Sequence, residues 1–391
     1  MRVLHVGKYF HPSHGGIESF LFDLASASAD LGIEQGLIVH AQQGQNPGSQ
    51  DQGRYAFLRY LDRVKSWGTL GYAPISPSFG RRLHLAIQRL KPDVLYLHLP
   101  NPSTFWALTL PAARRIPWVI HWHADASAPE FDRVVRLLYP IYRPFEQALL
   151  SRAKQVIVTS PPYLQGSRAL ARWQDKCRVV PLGLNTERLA RREACAVSPG
   201  WDSGEPLRIL SVGRLTPYKG LDGLIRAMAH TQAQLAIVGE GAERARLERL
   251  IAELRLKARV HLIGGASDGA RNFLLSQCDL VCLPSLNRAE AFGISVLEAM
   301  AMGKPALVSR LEGSGLPWLV EDGRTGWHVQ PGDPAALAER INRLDAHRSE
   351  VAASGERAAA RYREHFDINR VTGQIIELQQ QTLKTSQHQT V

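Results

Sequence analysis

The sequence predicts an α/β protein with two doubly wound parallel sheets. Short β-branched, apolar runs alternate with helix-like runs along both halves of the chain, which is typical of this fold class. The alternation breaks down once, at 183–206, in a stretch rich in Gly, Pro, Ser and mixed charge. With 391 residues, the chain is long enough to form two domains, each with its own core.

The first half is predicted to be a Rossmann-like domain spanning residues 1–182. Apolar runs indicate strands near 2–7, 35–40, 93–98, 117–122, 155–159 and 177–181. Helical patterns indicate helices near 17–30, 79–90, 103–115 and 131–152. The break at 183–206 is the predicted linker to the second domain.

The second half, residues 207–366, repeats the pattern and predicts a second Rossmann-like domain. Its strands are expected near 207–212, 235–239, 259–264, 279–284 and 305–309, with late segments around Trp327 and Ala335–Leu344. A last helix is expected at about 367–383, and the C-terminal region 367–391 is grouped with the first domain. The polar tail after that helix, beginning at Leu383, is expected to be unstructured because it has little to pack.

Composition favours a globular protein that stays in the cytoplasm. Hydrophobic residues make up 45% and charged residues 21% of the chain, which is ordinary for a soluble domain. No apolar run reaches the roughly 18 residues that a membrane span needs, and the first residues form a strand pattern, not a signal peptide. The cysteines show no C-x-x-C spacing, so neither disulfides nor a zinc site is expected; they are Cys177, Cys195, Cys278 and Cys282.

The most informative segment is EAFGISVLE, which runs from Glu290 to Glu298. Two carboxylates flank a glycine that opens an apolar helix. Gly293 lets the backbone approach a ligand, and the free amides of Gly293, Ile294 and Ser295 at the helix start can bind an anion. Considered alone, the segment fits equally an ordinary amphipathic helix with a capping acid.

A second motif, GRLTPYKG, follows a predicted strand about seventy residues upstream of the first. Arg214 and Lys219 lie in the turn between this strand and a helix. Arginine can bind two phosphate oxygens at once, and lysine adds a compact charge, so the pair suits a diphosphate. The alternative is a pair of solvated surface cations, but the bracketing glycines favour phosphate binding.

With these motifs, the chain resembles the GT-B glycosyltransferases of the retaining, glycogen-synthase-like group called GT4. The resemblance covers nearly the whole chain, from Met1 to about Phe366, and is closest to bacterial mannosyl and rhamnosyl transferases of polysaccharide assembly. It implies two Rossmann-like domains facing each other across a cleft that holds the active site. The matching segments are EAFGISVLE, GRLTPYKG, AIVGEGAERARLE, GGIES and, more loosely, HWHADA.

The resemblance gives the N-terminal motifs a role. Gly15 and Gly16 lie in the loop after the first strand and can bring backbone amides against a phosphate or an acceptor, although a plain turn would also use two glycines. His123 follows the strand WVIHW, where it could donate a hydrogen bond to a sugar hydroxyl or take part in proton transfer. His121, two residues earlier, is interpreted as structural.

The implied reaction is hexosyl transfer with retention from a nucleotide diphosphate sugar. Arg214 and Lys219, with the amides of residues 293–295, would stabilise the leaving diphosphate. Glu298 would bind the ribose diol, and Glu290 would contact the donor sugar. The backbone around Arg259 to Gly264 would recognise the base. The chain contains no D-x-D motif, so a metal-independent site is expected, and no cofactor is expected beyond the donor itself.

The donor and acceptor remain open at this stage. Overall likeness favours GDP-mannose or a GDP-deoxymannose as the donor and a polyprenyl-diphosphate-linked or saccharide acceptor. The alternatives are a UDP-sugar donor and a catalytically silent sugar-nucleotide-binding subunit. The net charge of +11 raises nucleic-acid binding as a third class, but no recognisable nucleic-acid motif supports it.

The positive charge is concentrated in the first half. Residues 1–190 carry 22 Lys and Arg against 13 Asp and Glu. In the helix that follows position 131, Arg133, Arg136 and Arg143 interleave with aromatic and aliphatic residues. This pattern favours a face that rests on an anionic membrane and receives a lipid-linked acceptor. The alternative is a solvated helix with one packed side.

Overall fold

The chain divides into two compact units. A computed structural model describes residues 1–13, 15–42, 45, 47–48, 52–70, 73–126, 133–193, 201 and 206–388. The first unit comprises Met1–Leu184 and Ile368–Val391, and the second comprises Asn185–Asp367. Each contains one parallel sheet with helices around it, and the predicted α/β fold class is confirmed.

The first unit contains a seven-stranded parallel sheet in the order β3-β2-β1-β6-β7-β8-β9, and β4 and β5 form a separate antiparallel pair. Its strands are β1 Arg2–Val6, β2 Glu34–His40, β3 Leu58–Val64, β4 Gly68–Leu70, β5 Ala73–Ile75, β6 Val94–Leu99, β7 Trp118–Trp122, β8 Gln155–Val158 and β9 Cys177–Val179. Its helices are α1 Gly16–Asp30, α2 Phe79–Leu90, α3 Trp106–Thr109, α4 Pro111–Arg114, α5 Arg133–Arg152, α6 Pro161–Gly166 and α15 Ile368–His388.

Strand β3 is absent from the sequence prediction. Its sequence, LRYLDRV, carries three charged residues, which hide the strand pattern. Asp62 is nevertheless fully buried, because Arg82 of α2 donates to it through Nε at 2.7 Å. This buried ion pair lets a charged strand occupy the edge of the sheet.

The predicted helix at 103–115 is wrong as a single element. The structure has a 3₁₀ turn at Pro102–Phe105 and the separate short helices α3 and α4. Leu110, between them, is extended at φ −87° and ψ 115°. Since Pro111 disfavours the helical conformation of the residue before it, the helix breaks at Leu110.

The second unit contains a six-stranded parallel sheet in the order β12-β11-β10-β13-β14-β15. Its strands are β10 Arg208–Val212, β11 Gln234–Val238, β12 Val260–Gly264, β13 Leu280–Leu283, β14 Ala306–Ser309 and β15 Gly326–Val329. Its helices are α7 Glu187–Ala190, α8 Leu221–Met228, α9 Arg244–Glu253, α10 Asp268–Gln277, α11 Ile294–Ala301, α12 Leu316–Leu319, α13 Pro334–Ala346 and α14 Arg348–His365.

The C-terminal helix is longer than the sequence indicates. Helix α15 continues to His388, so the prediction of an unstructured tail from Leu383 is wrong as far as that residue. The helix packs against α1 within the first unit. Its buried face includes Val371, Ile375 and Thr382. These buried residues are four and seven positions apart and so lie on one face of the helix, which packs although the tail is polar in composition.

The predicted linker is not uniform. Residues 194–200 and 202–205 lie outside the described residues, but the segment before them contains α7. Asn272 of α10 donates through Nδ2 to the carbonyl oxygens of Arg188 and Arg191, at 2.9 and 3.0 Å. The first part of this range therefore belongs structurally to the second unit.

Among the described helices, we find no segment with the combination of length and apolar character that crossing a bilayer requires.

Candidate active site

The loops at the carboxyl ends of β10 and β13 bring together Lys219 and Glu290, which lie 71 residues apart in sequence. Lys219 Nζ donates to Glu290 Oε2 at 2.6 Å, and both residues are only 8% exposed. Ser285 Oγ donates to the same oxygen at 3.1 Å. Because both bonds end on Oε2, the described residues leave the second carboxylate oxygen of Glu290 available to a ligand.

The electrostatics of this pair keep Lys219 charged. Burial has the largest single effect and lowers the pKa of Lys219, but the Coulombic effects of Glu290 and Tyr218 and the hydrogen bond to Glu290 together outweigh it, so the pKa of Lys219 is raised. The backbone of Glu290 is also fixed, because Ser314 Oγ donates to its carbonyl oxygen. A charged ammonium group on a well-positioned loop is suited to binding phosphate oxygens.

Glycines let the strand ends around this pair approach closely. Gly213, at φ 157°, ends β10, and a Cβ atom there would lie 3.1 Å from the Lys219 ammonium. A Cβ atom on Gly239 would lie 1.9 Å from the carbonyl oxygen of Gly213, and one on Gly241 would lie 2.3 Å from that of Leu215. The glycines of the segment Gly239–Gly241 thus serve close backbone packing. Arg214, in the same turn, is exposed.

Glu298 is a buried carboxylate held by two arginines. It lies on α11 and is 4% exposed. Arg188 Nη1 of α7 and Arg271 Nη2 of α10 lie 3.6 and 3.4 Å from Glu298 Oε1. Neither arginine was identified from the sequence. Arg188 falls in the predicted linker, and Arg271 looks like the partner of an ordinary i,i+3 pair with Asp268, which it also contacts at 3.2 Å.

The start of α11 has the geometry that the sequence motif predicts. Gly293 is the N-terminal cap, with φ 92° in the left-handed region that favours glycine. The first helical hydrogen bonds are donated by Val296 and Leu297 to the carbonyl oxygen of Gly293. The amides of Ile294 and Ser295 therefore precede the first hydrogen-bonded turn.

Gly264 is the last residue of β12 and precedes Glu290 and Glu298 in the sequence. It has φ 83°, and a Cβ atom there would lie 2.8 Å from Glu240 Oε1 and 2.8 Å from Arg244 Nη1. These two side chains form an ion pair of 3.0 Å. Because glycine has no Cβ atom and tolerates this φ, the end of the strand can pack closely against the ion pair.

In the first unit, His123 lies directly after β7 and belongs to a buried cluster of histidines. His5 of β1, His98 of β6 and His121 of β7 are also buried. Burial lowers the pKa of His5 to about 4 and that of His123 to about 3. It also lowers the pKa of His98 and of His121 well below the usual value. All four rings are therefore neutral near pH 7.

The cluster is arranged as a stack instead of a metal cage. The nitrogens of His98, His121 and His123 lie within 4.8 Å of one another. The rings of His121 and His123 are nearly parallel, at 5° and 4.2 Å between centroids, so their in-plane lone pairs do not converge on a single point. Both ring nitrogens of His98 are within hydrogen-bond distance of neighbouring histidines. Tetrahedral zinc needs converging lone pairs, so this arrangement favours a hydrogen-bond network.

Gly15 caps α1, which begins at Gly16. A Cβ atom on Gly15 would lie 2.1 Å from Glu18 Oε2, so the space over this glycine is filled by a carboxylate of the same helix. An acidic group at a helix N-terminus is favourable, and a phosphate bound at this position would have to displace it.

Helix α5 carries the predicted basic face. Arg143 is exposed, whereas the side chains of Arg133 and Arg136 lie outside the described part of the structure. Three apolar side chains four residues apart are also exposed on this helix, Leu137 at 77%, Ile141 at 67% and Phe145 at 48%. We refer to these three residues as the α5 stripe.

Comparisons with known proteins account for both halves of the chain. Residues 15–183 match the glycosyl transferase 4-like domain, and residues 199–361 match the glycosyl transferases group 1 family. The chain is 30% identical to the D-rhamnosyltransferase WbpZ of Pseudomonas aeruginosa over 94% of its own length and 92% of the relative's. It is 27% identical to the O-antigen chain mannosyltransferase C of Escherichia coli, over 97% and 98% of the two chains.

Solved structures support the fold. Sucrose-phosphate synthase from Thermosynechococcus elongatus is similar with a TM-score of 0.79 and 24% identity, covering 98% of this chain and 99% of that one. HepE from Anabaena, in complex with UDP and glucose, is similar with a TM-score of 0.74 and 22% identity, covering 96% and 98%. The two Rossmann-like units match the GT-B fold of glycosyltransferases, and the chain belongs to the glycosyl transferases group 1 family, with a GT4-like N-terminal domain.

Proposed function

We propose that this glycosyltransferase transfers a hexose, mannose or a deoxymannose, from a GDP-linked donor to a lipid-linked or saccharide acceptor in polysaccharide or lipopolysaccharide biosynthesis. The observation that carries the proposal is the buried ion pair of Lys219 and Glu290 beside the Gly213 turn, in a chain of this family. The sugar is suggested by the rhamnosyl and mannosyl transferases among its relatives.

The proposed chemistry depends on stabilising the leaving diphosphate. As the glycosidic bond breaks, negative charge grows on the diphosphate, and preorganised cations lower that barrier most effectively. Lys219 is already charged and fixed by Glu290, Arg214 is exposed in the same turn, and the amides at the start of α11 add dipoles. Glu290 Oε1 would accept a hydrogen bond from the donor sugar. We propose that transfer retains the anomeric configuration.

Glu298 would accept hydrogen bonds from the ribose diol. Both arginine contacts end on its Oε1, which leaves Oε2 for the ligand. Arg188 and Arg271 would then have a supporting role, because their contacts hold the buried side chain of Glu298 in one orientation. The backbone near Gly264 would contact the base.

We further propose that transfer needs no metal ion, since protein cations neutralise the diphosphate. Transfer should therefore proceed at an unchanged rate in the presence of excess EDTA. The measurement is an initial rate with and without the chelator. A loss of turnover that added magnesium restores would contradict the proposal.

The donor is tested with a panel of GDP, UDP, ADP and their sugars in a thermal-shift assay. A ligand that binds only the folded protein raises the melting temperature. At a concentration one hundred times its Kd, it adds about 2.7 kcal/mol to the free energy of unfolding. We expect the largest shift with GDP and GDP-mannose. HepE, which shares the fold, contains UDP-glucose in one of its structures, so a UDP donor is the alternative. A donor that binds without any turnover would favour the silent binding subunit.

We propose that the first unit, which would bind the acceptor, rests on the cytoplasmic face of an anionic membrane. The α5 stripe gives a physical reason, because three exposed apolar side chains beside Arg143 suit insertion among lipid headgroups. A polyprenyl-diphosphate acceptor would be presented at such a surface. Nucleic acid is not a proposed partner.

A further inference from the structure

A chain of hydrogen bonds runs across the first sheet and ends at His123. Gln35 Oε1 lies 2.6 Å from His5 Nε2, and His5 Nδ1 lies 3.0 Å from His98 Nε2. His98 Nδ1 then lies 3.0 Å from His123 Nε2. We call these four residues, Gln35, His5, His98 and His123, the histidine relay.

The position of every proton in the relay follows from its first member. Gln35 Nε2 donates to the carbonyl oxygen of Ile33 at 3.3 Å, so its amide oxygen must face His5. That oxygen can only accept, so His5 carries its proton on Nε2. A neutral imidazole with a proton on one nitrogen accepts at the other, so His98 and His123 must in turn carry theirs on Nε2.

The relay therefore leaves the lone pair of His123 Nδ1 as its free end. This atom is buried and has no hydrogen-bond partner among the described residues. It lies just beyond the carboxyl end of β7, the edge at which doubly wound sheets bind their ligands. A buried acceptor without a partner is unfavourable, and a ligand hydroxyl that donates a hydrogen bond to it would remove that cost.

Next to it, His121 has a second unpartnered nitrogen. Tyr96 OH lies 2.7 Å from His121 Nδ1, and His121 Nε2 is buried without a partner in the described part of the chain. If Tyr96 donates this bond, His121 Nε2 carries a proton. A donor and an acceptor on stacked rings can together bind one hydroxyl, which both donates and accepts.

We propose that the histidine relay fixes the tautomer of His123, so that His123 Nδ1 accepts a hydrogen bond from a sugar hydroxyl of the bound substrate. This rests on the proposed function. It differs from both roles that the sequence suggests for His123, donation of a hydrogen bond to a sugar hydroxyl and participation in proton transfer. Gln35, His5 and His98 are positioning residues, because they act through the tautomer of His123.

The first test measures the tautomers directly, without any substrate. Nitrogen-15 NMR of the imidazole rings distinguishes protonated from unprotonated nitrogens. In the wild-type protein at neutral pH we expect His5, His98 and His123 to carry the proton on Nε2. A proton on His123 Nδ1, or a charged His123, would overturn the inference whether or not the protein turns over a sugar nucleotide.

The second test removes the group that sets the direction. In Gln35→Leu, the relay with all protons moved to Nδ1 becomes competitive in energy, so NMR should show mixed tautomers at His123. We expect kcat to fall about tenfold, because a His123 that turns a proton toward the sugar hydroxyl can no longer accept its hydrogen bond, and the loss of one such bond is worth roughly tenfold. The KM for the sugar nucleotide should change less than about twofold, because the donor site is in the other unit.

A matched control is Gln155→Leu in β8. This is the same substitution in the same sheet, and Gln155 Oε1 has no hydrogen-bond partner among the described residues. It should leave the tautomers and kcat unchanged. Equal loss of kcat in both variants, or mixed tautomers with unchanged kcat in Gln35→Leu, would reject the positioning role. Added zinc should not raise the melting temperature; a large rise would show a metal site instead.

Discussion

At the residue scale, Lys219 and Arg214 carry the charge that the proposed reaction needs. We expect Lys219→Ala and Arg214→Ala each to lower kcat/KM by about a hundredfold or more, as the loss of leaving-group stabilisation should. The measurement is steady-state transfer with the donor that the ligand panel identifies.

Each variant has a control of the same residue type in the same unit. Lys257 and Arg226 are exposed, so Lys257→Ala and Arg226→Ala should retain wild-type rates. Lys219→Ala also leaves Glu290 buried without its cation, which destabilises the fold, so circular dichroism must first show a folded protein. Wild-type kinetics in folded Lys219→Ala would remove the proposed mechanism.

The two glutamates should separate binding from turnover. Glu298→Ala removes the proposed ribose ligand and is expected to weaken binding of the free nucleotide by about tenfold or more. Glu290→Ala should chiefly lower kcat, because its partner is the transferred sugar. Calorimetric titration of the free nucleoside diphosphate distinguishes them. Equal losses of nucleotide affinity would show that these roles are wrongly assigned.

At the element scale, helix α5 holds a carboxylate that should give the protein a pH-dependent stability. Glu146 is 1% exposed, and Tyr139 OH donates to its Oε2 at 2.9 Å. Glu146 Oε1 is buried without a partner among the described residues. Burial raises the pKa of Glu146 to about 7, against the opposing effect of the Tyr139 hydrogen bond.

A raised pKa means that the folded state favours the protonated acid. The stabilisation from Glu146 is therefore fully present below the unfolded pKa of 4.5 and is lost as the pH rises through about 7. We expect Glu146→Gln to raise the melting temperature relative to wild type at pH 8 and much less at pH 5. The difference in unfolding free energy should be at most about 3 kcal/mol.

The control for this pair of measurements is Glu377→Gln, since Glu377 is an exposed acid on α15 of the same unit. Its difference from wild type should not depend on pH. If Glu146→Gln shows the same small difference at both values, Glu146 is ionised in the folded protein and its burial has been compensated by other groups.

Element by element, the sequence predicts what is periodic and misses what depends on distant partners. The two parallel sheets follow from apolar runs that local pattern alone reveals. Strand β3 escapes because Asp62 is neutralised by Arg82 from another element. Arg188 escapes for the same reason: its carboxylate partner, Glu298, lies over a hundred positions away in a different motif.

The histidine relay shows this limit most clearly. His5, His98 and His123 come from three strands, and each alone looks like a buried core histidine. Only the pairing of β1 with β6 and of β6 with β7 puts them side by side. Strand motifs identified His123 because of its place after β7, but the tautomer that decides its chemistry depends on Gln35 in β2.

At the scale of the whole molecule, the charge is divided unevenly between the two halves. Residues 1–190 carry 22 basic and 13 acidic side chains. If the donor diphosphate alone determined the distribution of charge, the excess of positive charge would lie instead in the second half, which is the proposed donor-binding half. The proposed anionic membrane partner of the first unit would explain this distribution, and the α5 stripe would be the place where it binds.

We expect the protein to bind vesicles that contain anionic lipid at low salt and to dissociate as the salt approaches roughly half molar, because screening shortens the Debye length. Co-sedimentation with anionic and neutral vesicles measures this.

Reversing the charge of Arg133, Arg136 and Arg143 together to Glu should abolish binding, as should replacing Leu137 and Ile141 by Ser. Reversal of Arg168, Arg172 and Arg178, which are exposed elsewhere on the unit, makes the same change in net charge. If both triple variants lose binding equally, attraction is a property of net charge alone; if neither does, the acceptor is more simply a soluble saccharide.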